Sequence, residues 1–506
     1  MKNIESVFKT LKRYSFREKI RISQQKSFQS ISPDHLVTNP EKIPTNYIFP
    51  WELEVFTTIS ILASPEYSFN DFSTSKDYKK LIKIMNTIRN APELLDKIKN
   101  NSSIDLQNLL ELMILSQAPL QREIFLKYYR YEKIFSYRDA HIDMPSIIAE
   151  KFPFTYNDCL KFSYLMYHSL LLFKELAFHP EYQNQKLQND LSGYLEQVIN
   201  SLQVEYSHII SYLSIPRKDF ISQQLKFIEN NKENIYFAYK LLYRYPIIEE
   251  DNLHFLPLIH PLINATTDSI LFSITKGNDQ IRSDIGKHIL ENYLYSLLNN
   301  NQLYDEIFTE CTYNKNKTEL RSPDVMIRKD NHIVLLDSKS LVPALELRKL
   351  TTSRSEKIVS RIAGFIVQMY KQLENFNRYY NPFSNNEYVY SRKYIFGFIV
   401  LFEENYILRK QIFDRAASTL EIAEHSPEYK FLCSNIKILS LHDIELHAYL
   451  NSSIIDSLLS IPDGNILDFG LSRPEEDNHH LHPEIDNFRK RLYSDSIEYF
   501  KNIILK

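Results

Sequence analysis

The segment 322-SPDVMIRKDNHIVLLDSK-339 contains two short apolar runs, residues 325–327 and 333–336, separated by Asp330-Asn331. Both runs are rich in aliphatic and β-branched residues, which predicts two strands. Asp and Asn tolerate the positive φ angle of a tight turn between strands. We therefore predict an antiparallel hairpin that turns at Asp330-Asn331.

The position of the turn fixes which residues of the two strands face each other. Lys329 faces His332, and continuing the register places Asp324 opposite Asp337, with Lys339 on the same face if the strand continues. Directly opposed residues have Cβ atoms about 4.5–5.5 Å apart, where two like charges destabilise the pair unless something neutralises them. A divalent cation would do so, because Mg²⁺ is commonly held by one or two carboxylates, with water and substrate phosphate completing its shell.

This arrangement resembles the core of the PD-(D/E)xK phosphodiesterase superfamily, with Asp324, Asp337 and Lys339 at its three core positions. The resemblance covers about residues 280–440 and implies a restriction-endonuclease-like fold that hydrolyses phosphodiester bonds with Mg²⁺ or Mn²⁺. It implies that Asp324 and Asp337 are catalytic metal ligands. Lys339 would position or deprotonate the attacking water and stabilise charge on the phosphorane-like transition state.

A further acid is expected on the helix that precedes the core sheet, where the superfamily often has a Glu. Glu291 lies on the predicted helix 283–298, and Glu291, Leu294 and Leu298 are spaced i, i+3, i+7. The carboxylate thus extends an apolar stripe, where its burial is costly without a nearby cation. We expect Glu291 to be a third catalytic acid and metal ligand; the alternative is an ion pair with Lys287 one turn earlier.

Basic and amide side chains after the motif could contact the nucleic-acid backbone. The superfamily often has a Gln or Lys on the helix that follows, and phosphate contacts generally use Lys and Arg. A solvated helix face is the alternative for such a charge run. The candidate nucleic-acid-binding residues are Arg348, Lys349, Arg354, Lys357, Arg361, Gln368 and Lys371.

Each half of the motif also occurs elsewhere in the chain. Pro-Asp recurs at Pro33-Asp34 and Pro462-Asp463, and an acid-x-Lys triplet recurs at Asp77-Tyr78-Lys79 and Glu428-Tyr429-Lys430. None of these has flanking strands. Only residues 323–339 combine both halves with apolar β-type runs between them, which favours a functional site there.

The composition bounds the class of protein. With 506 residues and 43% hydrophobic residues, the chain can bury a large core and favours two or more domains. The formal charge of -3 excludes a global attraction to nucleic acid, so any such contact needs a local patch. Three widely spaced cysteines argue against a thiolate zinc site or a disulfide framework and favour a reducing cytoplasm. The longest apolar run, 394–402, is about half of what a membrane span needs, so no membrane is expected.

The pattern along the chain predicts a multidomain α+β or α/β protein. Residues 1–250 are predicted to form a mostly helical domain for recognition, regulation or partner binding. Residues 251–470 would form the nuclease domain, a restriction-endonuclease-like mixed β-sheet core flanked by helices. Residues 471–506 comprise an acidic, His-containing loop and a helix at 484–504. In the nuclease domain, strands are predicted at 270–274, 307–313, 325–327, 333–336, 394–401 and 436–439, and helices at 283–298, 355–376, 407–423 and 442–459.

The expected function is a Mg²⁺-dependent endonuclease acting on DNA rather than RNA, in prokaryotic antiphage defence or restriction if it follows the resemblance. Cutting both strands generally needs two centres, so a homodimer or a partner subunit is expected. One alternative is a catalytically inactive nucleic-acid-binding or assembly protein that retains the nuclease fold. Another is a helical interaction scaffold in which the motif is coincidental.

Overall fold

A computed structural model describes residues 2–27, 48, 50–63, 75–89, 124–178, 201–202, 204–230, 235, 240–300, 302–341, 352–383, 390–403, 409–459 and 481–504. The fold is mixed α/β, with helices more abundant than strands. None of the helices in these ranges is both long and apolar enough to cross a membrane.

Nine α-helices precede the central sheet region in the helical half. They are α1 Lys2–Leu11, α2 Phe16–Lys26, α3 Pro50–Leu62, α4 Ser75–Arg89, α5 Ile124–Phe135, α6 Met144–Lys151, α7 Tyr156–Phe178, α8 Ser207–Leu213 and α9 Arg217–Asn230, as far as the described ranges extend. A 3₁₀ turn follows at Leu241–Tyr243. The helices that follow are α10 Ile259–Ala265, α11 Asp268–Thr275, α12 Asp279–Asp284, a π-helix at Ile285–Leu290, α13 Glu291–Leu298, α14 Thr352–Asn375, α15 Arg409–Thr419, α16 Pro427–Asn435, α17 Leu441–Tyr449, α18 Ile454–Leu459 and α19 Pro483–Ile504.

The strands form three sheets. They are β1 Ser214–Pro216, β2 Ile247–Glu250, β3 Leu253–Phe255, β4 Glu306–Thr309, β5 Thr312–Lys315, β6 Thr318–Arg321, β7 Val325–Lys329, β8 His332–Lys339, β9 Ile395–Leu401 and β10 Ile436–Ser440. The central sheet has the order β10-β9-β8-β7-β4, with β8, β9 and β10 parallel and β7 antiparallel to both β8 and β4. The strands β1-β2-β3 and β5-β6 form two smaller sheets.

Both faces of the central sheet are buried, as expected for parallel strands covered by helices. Val325 and Leu336 point to one face and Met326 and Leu335 to the other, and each set joins a separate hydrophobic core. Helix α14 packs closely on the second face, because a Cβ added at Gly397 would lie 2.4 Å from Cγ of Met369. Gly397 pairs with Leu335 in the middle of β8, so α14 crosses the sheet close to β8.

The core on the first face draws residues from both sides of position 250. Tyr128 and Tyr131 of α5 belong to it, together with Leu294 of α13 and Val325 of β7. A third core, built around residues such as Ile59, joins helices α1–α4 to β2. The hydrophobic packing of the sheet therefore includes part of the helical half.

The strand predictions at 325–327, 333–336, 394–401 and 436–439 are confirmed, as is the long helix predicted at 355–376. The strand predicted at 270–274 is wrong, because this segment lies inside α11. Its apolar residues bury one helical face, and periodicity alone does not separate a short strand from a short buried helix. The helix predicted at 442–459 is divided into α17 and α18, with Asn451 at a φ of 50° between them.

Pro216 separates helices α8 and α9, and it lies at the end of a strand. It is the last residue of β1, which pairs in parallel with β2 at the edge of the small sheet. Proline is tolerated there because an edge position does not require its missing N–H. The mostly helical half therefore contains strand β1.

Candidate acidic site at the open end of the central hairpin

The β7–β8 hairpin has the register predicted from its turn. Lys329 pairs with His332, and Asp330 has a φ of 52°. At the open end of the hairpin, Val325 and Leu336 form the last pair, and Asp324 lies one residue beyond it. The Oδ2 of Asp324 accepts hydrogen bonds from the backbone N and Oγ of Ser338 at 2.6 and 2.7 Å. These bonds hold the Asp324 carboxylate against β8, beside Asp337.

Asp337 and Lys339 lie two residues apart on β8. Asp337 is 6% exposed, and its Oδ2 is buried without a hydrogen bond to any described group. The Nζ of Lys339 approaches this oxygen at 2.5 Å as an ion pair without hydrogen-bond alignment. The same ammonium donates to Oε1 of Gln368 at 3.4 Å and lies 5.2 Å from the centre of the Phe365 ring. Helix α14 thus supplies two contacts that hold Lys339 at the site.

Charge at the hairpin end is only partly compensated. Burial, followed by the charge of Asp337, raises the pKa of Asp324 to about 7, while the hydrogen bonds from Ser338 and the charge of Lys339 act in the opposite direction. Two neighbouring carboxylates out of water disfavour each other's ionised forms. The pair therefore favours either a proton or an additional cation.

Glu291 begins α13 and belongs to the same electrostatic cluster. Burial raises its pKa to about 8, and the charges of Asp324, Glu310 and Asp337 add to this effect. Lys287, the alternative partner, lowers the pKa by less than any of these acids raises it. Lys287 therefore does not neutralise the Glu291 carboxylate.

A π-helix precedes Glu291 where sequence periodicity predicted continuous α-helix. It spans Ile285–Leu290 and lies against the end of β8, since a Cβ added at Gly286 would be 3.8 Å from Oγ of Ser340. A π turn contains one residue more than an α turn, rotates the residues that follow, and is frequent at functional sites. The π turn therefore sets the direction in which the side chain of Glu291 points from the start of α13.

Glu310 is a further acid near Glu291, and the sequence did not predict it. Thr309 pairs with Val325, and Cys311 exchanges hydrogen bonds of 2.9 Å with Ser322. Two residues, 323 and 324, therefore oppose Glu310 alone, which is the count of a β-bulge. Proline fits a bulge because it has no N–H to donate. The Pro323-Asp324 pair is the sequence feature that indicates this bulge. The prediction of one unbroken strand at 307–313 left no place for it.

Glu310 is partly compensated by a basic neighbour. Its Oε2 lies 3.3 Å from Nη1 of Arg321, and both side chains are partly exposed. An ion pair with this exposure contributes little to stability. Glu310 consequently adds negative charge near Glu291 without belonging to a buried ion pair.

The predicted nucleic-acid-binding residues are divided between described and undescribed parts of the chain. Gln368 contacts Lys339, and Lys357, Arg361 and Lys371 are exposed on α14. Burial and the nearby Arg282 lower the pKa of Arg361. Arg348, Lys349 and the side chain of Arg354 lie outside the described residues.

The donor atoms at the hairpin end fit a hard divalent cation. Among the described residues, no three His, Cys, Asp or Glu side chains are gathered closely enough to form a metal-binding group. Asp324 and Asp337 nevertheless provide adjacent carboxylates, and Oδ2 of Asp337 is buried without a hydrogen bond. Carboxylate oxygens are the ligands that Mg²⁺ and Mn²⁺ prefer, and one or two can suffice for Mg²⁺.

Comparison of the chain with protein-family models, with curated proteins and with solved structures finds no match in any of the three.

Proposed function

We propose that this protein is a metal-dependent nuclease that hydrolyses phosphodiester bonds in DNA. The observation that supports this most strongly is the hairpin register, which puts Asp324 beside Asp337 with Lys339 two residues further on β8. The mixed sheet around β8, covered by helices on both faces, would then be a restriction-endonuclease-like core.

In this proposal, Asp324 and Asp337 hold Mg²⁺ or Mn²⁺, and Glu291 would move in as the third ligand when the cation binds. The bound cation would polarise the scissile phosphate and lower the pKa of a water molecule. The raised pKa values of Asp324 and Glu291 mean that both acids give up protons more readily once a positive charge is near. Ionisation of these two side chains is thus coupled to cation binding.

Lys339 would act directly on the phosphate. Its ammonium is held by Gln368 and Phe365 beside Asp337, where it can stabilise negative charge that develops on the phosphate oxygens. It can also orient the attacking water through a hydrogen bond. This role needs a charged, fixed ammonium, which the contacts from α14 favour.

DNA would be held by exposed cations on α14. Lys357, Arg361 and Lys371 lie on the helix that also contacts Lys339 through Gln368, so a phosphate backbone could follow α14 into the site. The net charge of -3 makes such a local surface necessary. A second copy of the chain, or a partner subunit, would supply the second centre for cutting both strands.

The direct test incubates the purified protein with supercoiled plasmid, linear DNA and RNA in the presence of Mg²⁺, Mn²⁺ or EDTA. The proposal predicts cutting of DNA that requires the cation and is abolished by Asp337→Asn. The matched control is Asp330→Asn, which changes an exposed acid at the turn of the same hairpin and should cut like the wild type. Binding of DNA without cutting under any metal would favour the inactive binding protein. If the protein neither binds nor cuts nucleic acid, both the nuclease and the inactive binding protein are contradicted.

A further inference from the structure

A buried group of charged side chains joins helix α5 to the α/β half of the chain. Arg130 is 1% exposed, and its Nε and Nη2 donate to the two carboxylate oxygens of Glu445, each at 2.7 Å. Its Nη1 donates to the carbonyl oxygen of Phe402 at 2.9 Å and to Oε1 of Glu403 at 2.8 Å. One side chain of the helical half thus contacts two separate elements of the other half.

The first of these contacts leads to Lys339. Phe402 directly follows β9, and its backbone N–H donates to the carbonyl oxygen of Lys339 at 3.0 Å. The carbonyl oxygen of Phe402 accepts a hydrogen bond from Arg130. Arg130 therefore holds the residue that pairs with the end of β8 at the acidic site.

The second contact leads to Glu291. Oε1 of Glu445 also accepts a hydrogen bond of 2.8 Å from the hydroxyl of Tyr293, which is buried two residues after Glu291. Glu445 lies on α17. This helix begins directly after β10 with a capping box between Ser440 and Asp443, which fixes its start. The guanidinium of Arg130 and the first turn of α13 thus share one fully buried carboxylate.

The rest of the group neutralises and orients Glu403. Lys127 lies 2.9 Å from Asp268 and 3.5 Å from Glu403, and the Tyr131 hydroxyl is 2.6 Å from Asp268 and 3.1 Å from Glu403. Buried charges that are hydrogen-bonded to one another in this way are costly to displace. The group therefore has a defined geometry and can fix the elements attached to it.

We propose that Arg130 is a positioning residue for the acidic site. It fixes Lys339 through Phe402 and fixes Glu291 through Glu445 and Tyr293, so the helical half completes the site. The catalytic part of this inference rests on the proposed nuclease function. Groups hydrogen-bonded directly to metal ligands commonly change metal affinity or activity by about 10- to 100-fold when altered, and the lower end of that range is expected for Arg130, which acts through Phe402, Glu445 and Tyr293.

Three variants test the proposal. Arg130→Lys retains a buried positive charge but loses the paired contact with Glu445, and Tyr293→Phe removes only the hydroxyl that donates to Glu445. The matched control is Tyr128→Phe, also on α5, whose buried hydroxyl is 2.8 Å from Oγ of Ser163 and has no contact with this group. Hydrogen exchange in residues 286–295 and 396–403 is measured for each variant, together with kcat, KM and the pH profile of DNA cutting.

The proposal predicts a specific pattern of exchange at matched global stability. Arg130→Lys should accelerate exchange in both segments, Tyr293→Phe only in 286–295, and Tyr128→Phe in neither. Cutting should fall at least about tenfold in kcat for Arg130→Lys and Tyr293→Phe, with KM unchanged and a shifted pH profile.

Equal effects of the two tyrosine variants, or exchange that changes only in proportion to global stability, would overturn the proposal. If the wild type cuts no nucleic acid, the nuclease function is contradicted. The exchange pattern then decides separately whether Arg130 positions the two segments.

Discussion

Two groups of buried charged side chains differ in how completely their charges are compensated. Around Arg130, each of Asp268, Glu403 and Glu445 has a cation or a tyrosine hydroxyl within hydrogen-bond distance. At the hairpin end, a buried oxygen of Asp337 has only the ion contact with Lys339 among the described groups.

The electrostatics of the two groups reflect this difference. Lys127 and Arg130 lower the pKa of Glu403 below its ordinary value against the effect of burial, whereas burial and the charge of Glu403 raise the pKa of Asp268. Asp324 and Glu291 have raised pKa values, because burial and neighbouring acids outweigh Lys339 and Lys287. In the first group, hydrogen-bonded cations and a tyrosine hydroxyl fix every carboxylate in a structural network. In the second, both Asp324 and Glu291 have raised pKa values and retain an affinity for added positive charge.

The largest effect is expected when the compensated group loses a partner. Arg130→Met should lower the free energy of unfolding by about 3–5 kcal/mol, because it leaves buried carboxylates uncompensated. Urea denaturation provides the measurement. Arg138→Met is the control, since Arg138 forms an exposed ion pair with Asp143 and should cost less than about 1 kcal/mol. Similar losses for both variants would contradict the role of Arg130 as the buried partner that compensates these carboxylates.

A large effect on activity but not on folding is expected at Lys339. If the proposed function holds, Lys339→Met should reduce DNA cutting by about 100-fold or more, since it removes the charge that would stabilise the developing phosphate charge. Lys329→Met, in the same hairpin and paired with Asp456, should cut normally. Comparison of initial rates checks this, and equal rates for the two variants would exclude a catalytic role for Lys339.

The partly compensated charge at the hairpin end predicts a specific pH dependence of stability. The folded-state pKa of Asp324, about 7, lies above its ordinary value of 3.8, so its contribution to stability is present at low pH and lost as pH rises through 7. Without divalent cations, Asp324→Asn should therefore gain stability relative to the wild type between pH 5 and pH 8, by about 1–3 kcal/mol. Urea denaturation in EDTA at both pH values measures it. A constant difference between the two proteins would contradict the raised pKa.

The smallest effect concerns DNA binding. Arg361→Gln should weaken binding to all DNA sequences alike and lower the slope of log K against log salt by about one, because one phosphate contact is lost. Fluorescence anisotropy at several salt concentrations measures the slope. Lys276→Gln, which changes an exposed cation at the end of α11, should leave the slope unchanged.

The hairpin was predictable because its turn and register are local properties of the sequence. Asp330 supplies the positive φ, and alternation along two short strands then places Asp324 beside Asp337. Glu291 was predicted from the resemblance, which expects an acid on the helix before the sheet, and from its position on an apolar helical stripe. These features depend on residues that are close together in the chain.

Features that depend on distant residues were not predictable. Glu310 opposes residues 323 and 324 because a bulge offsets two strands, and Arg130 meets Glu445 across 315 positions of sequence. The strand predicted at 270–274 was wrong because a short buried helix has the same apolar run. Neither the bulge nor the ion network leaves a periodic pattern in the sequence.

Binding of Mn²⁺ to EDTA-treated, dialysed protein at pH 8 tests most directly whether the uncompensated carboxylates form a cation site. Isothermal titration of the wild type and of Asp330→Asn should show the same saturable Mn²⁺ site, and Asp337→Asn should lose it. Absence of Mn²⁺ binding by the wild type, or equal binding by Asp337→Asn, would contradict the assignment of the hairpin end as a cation site.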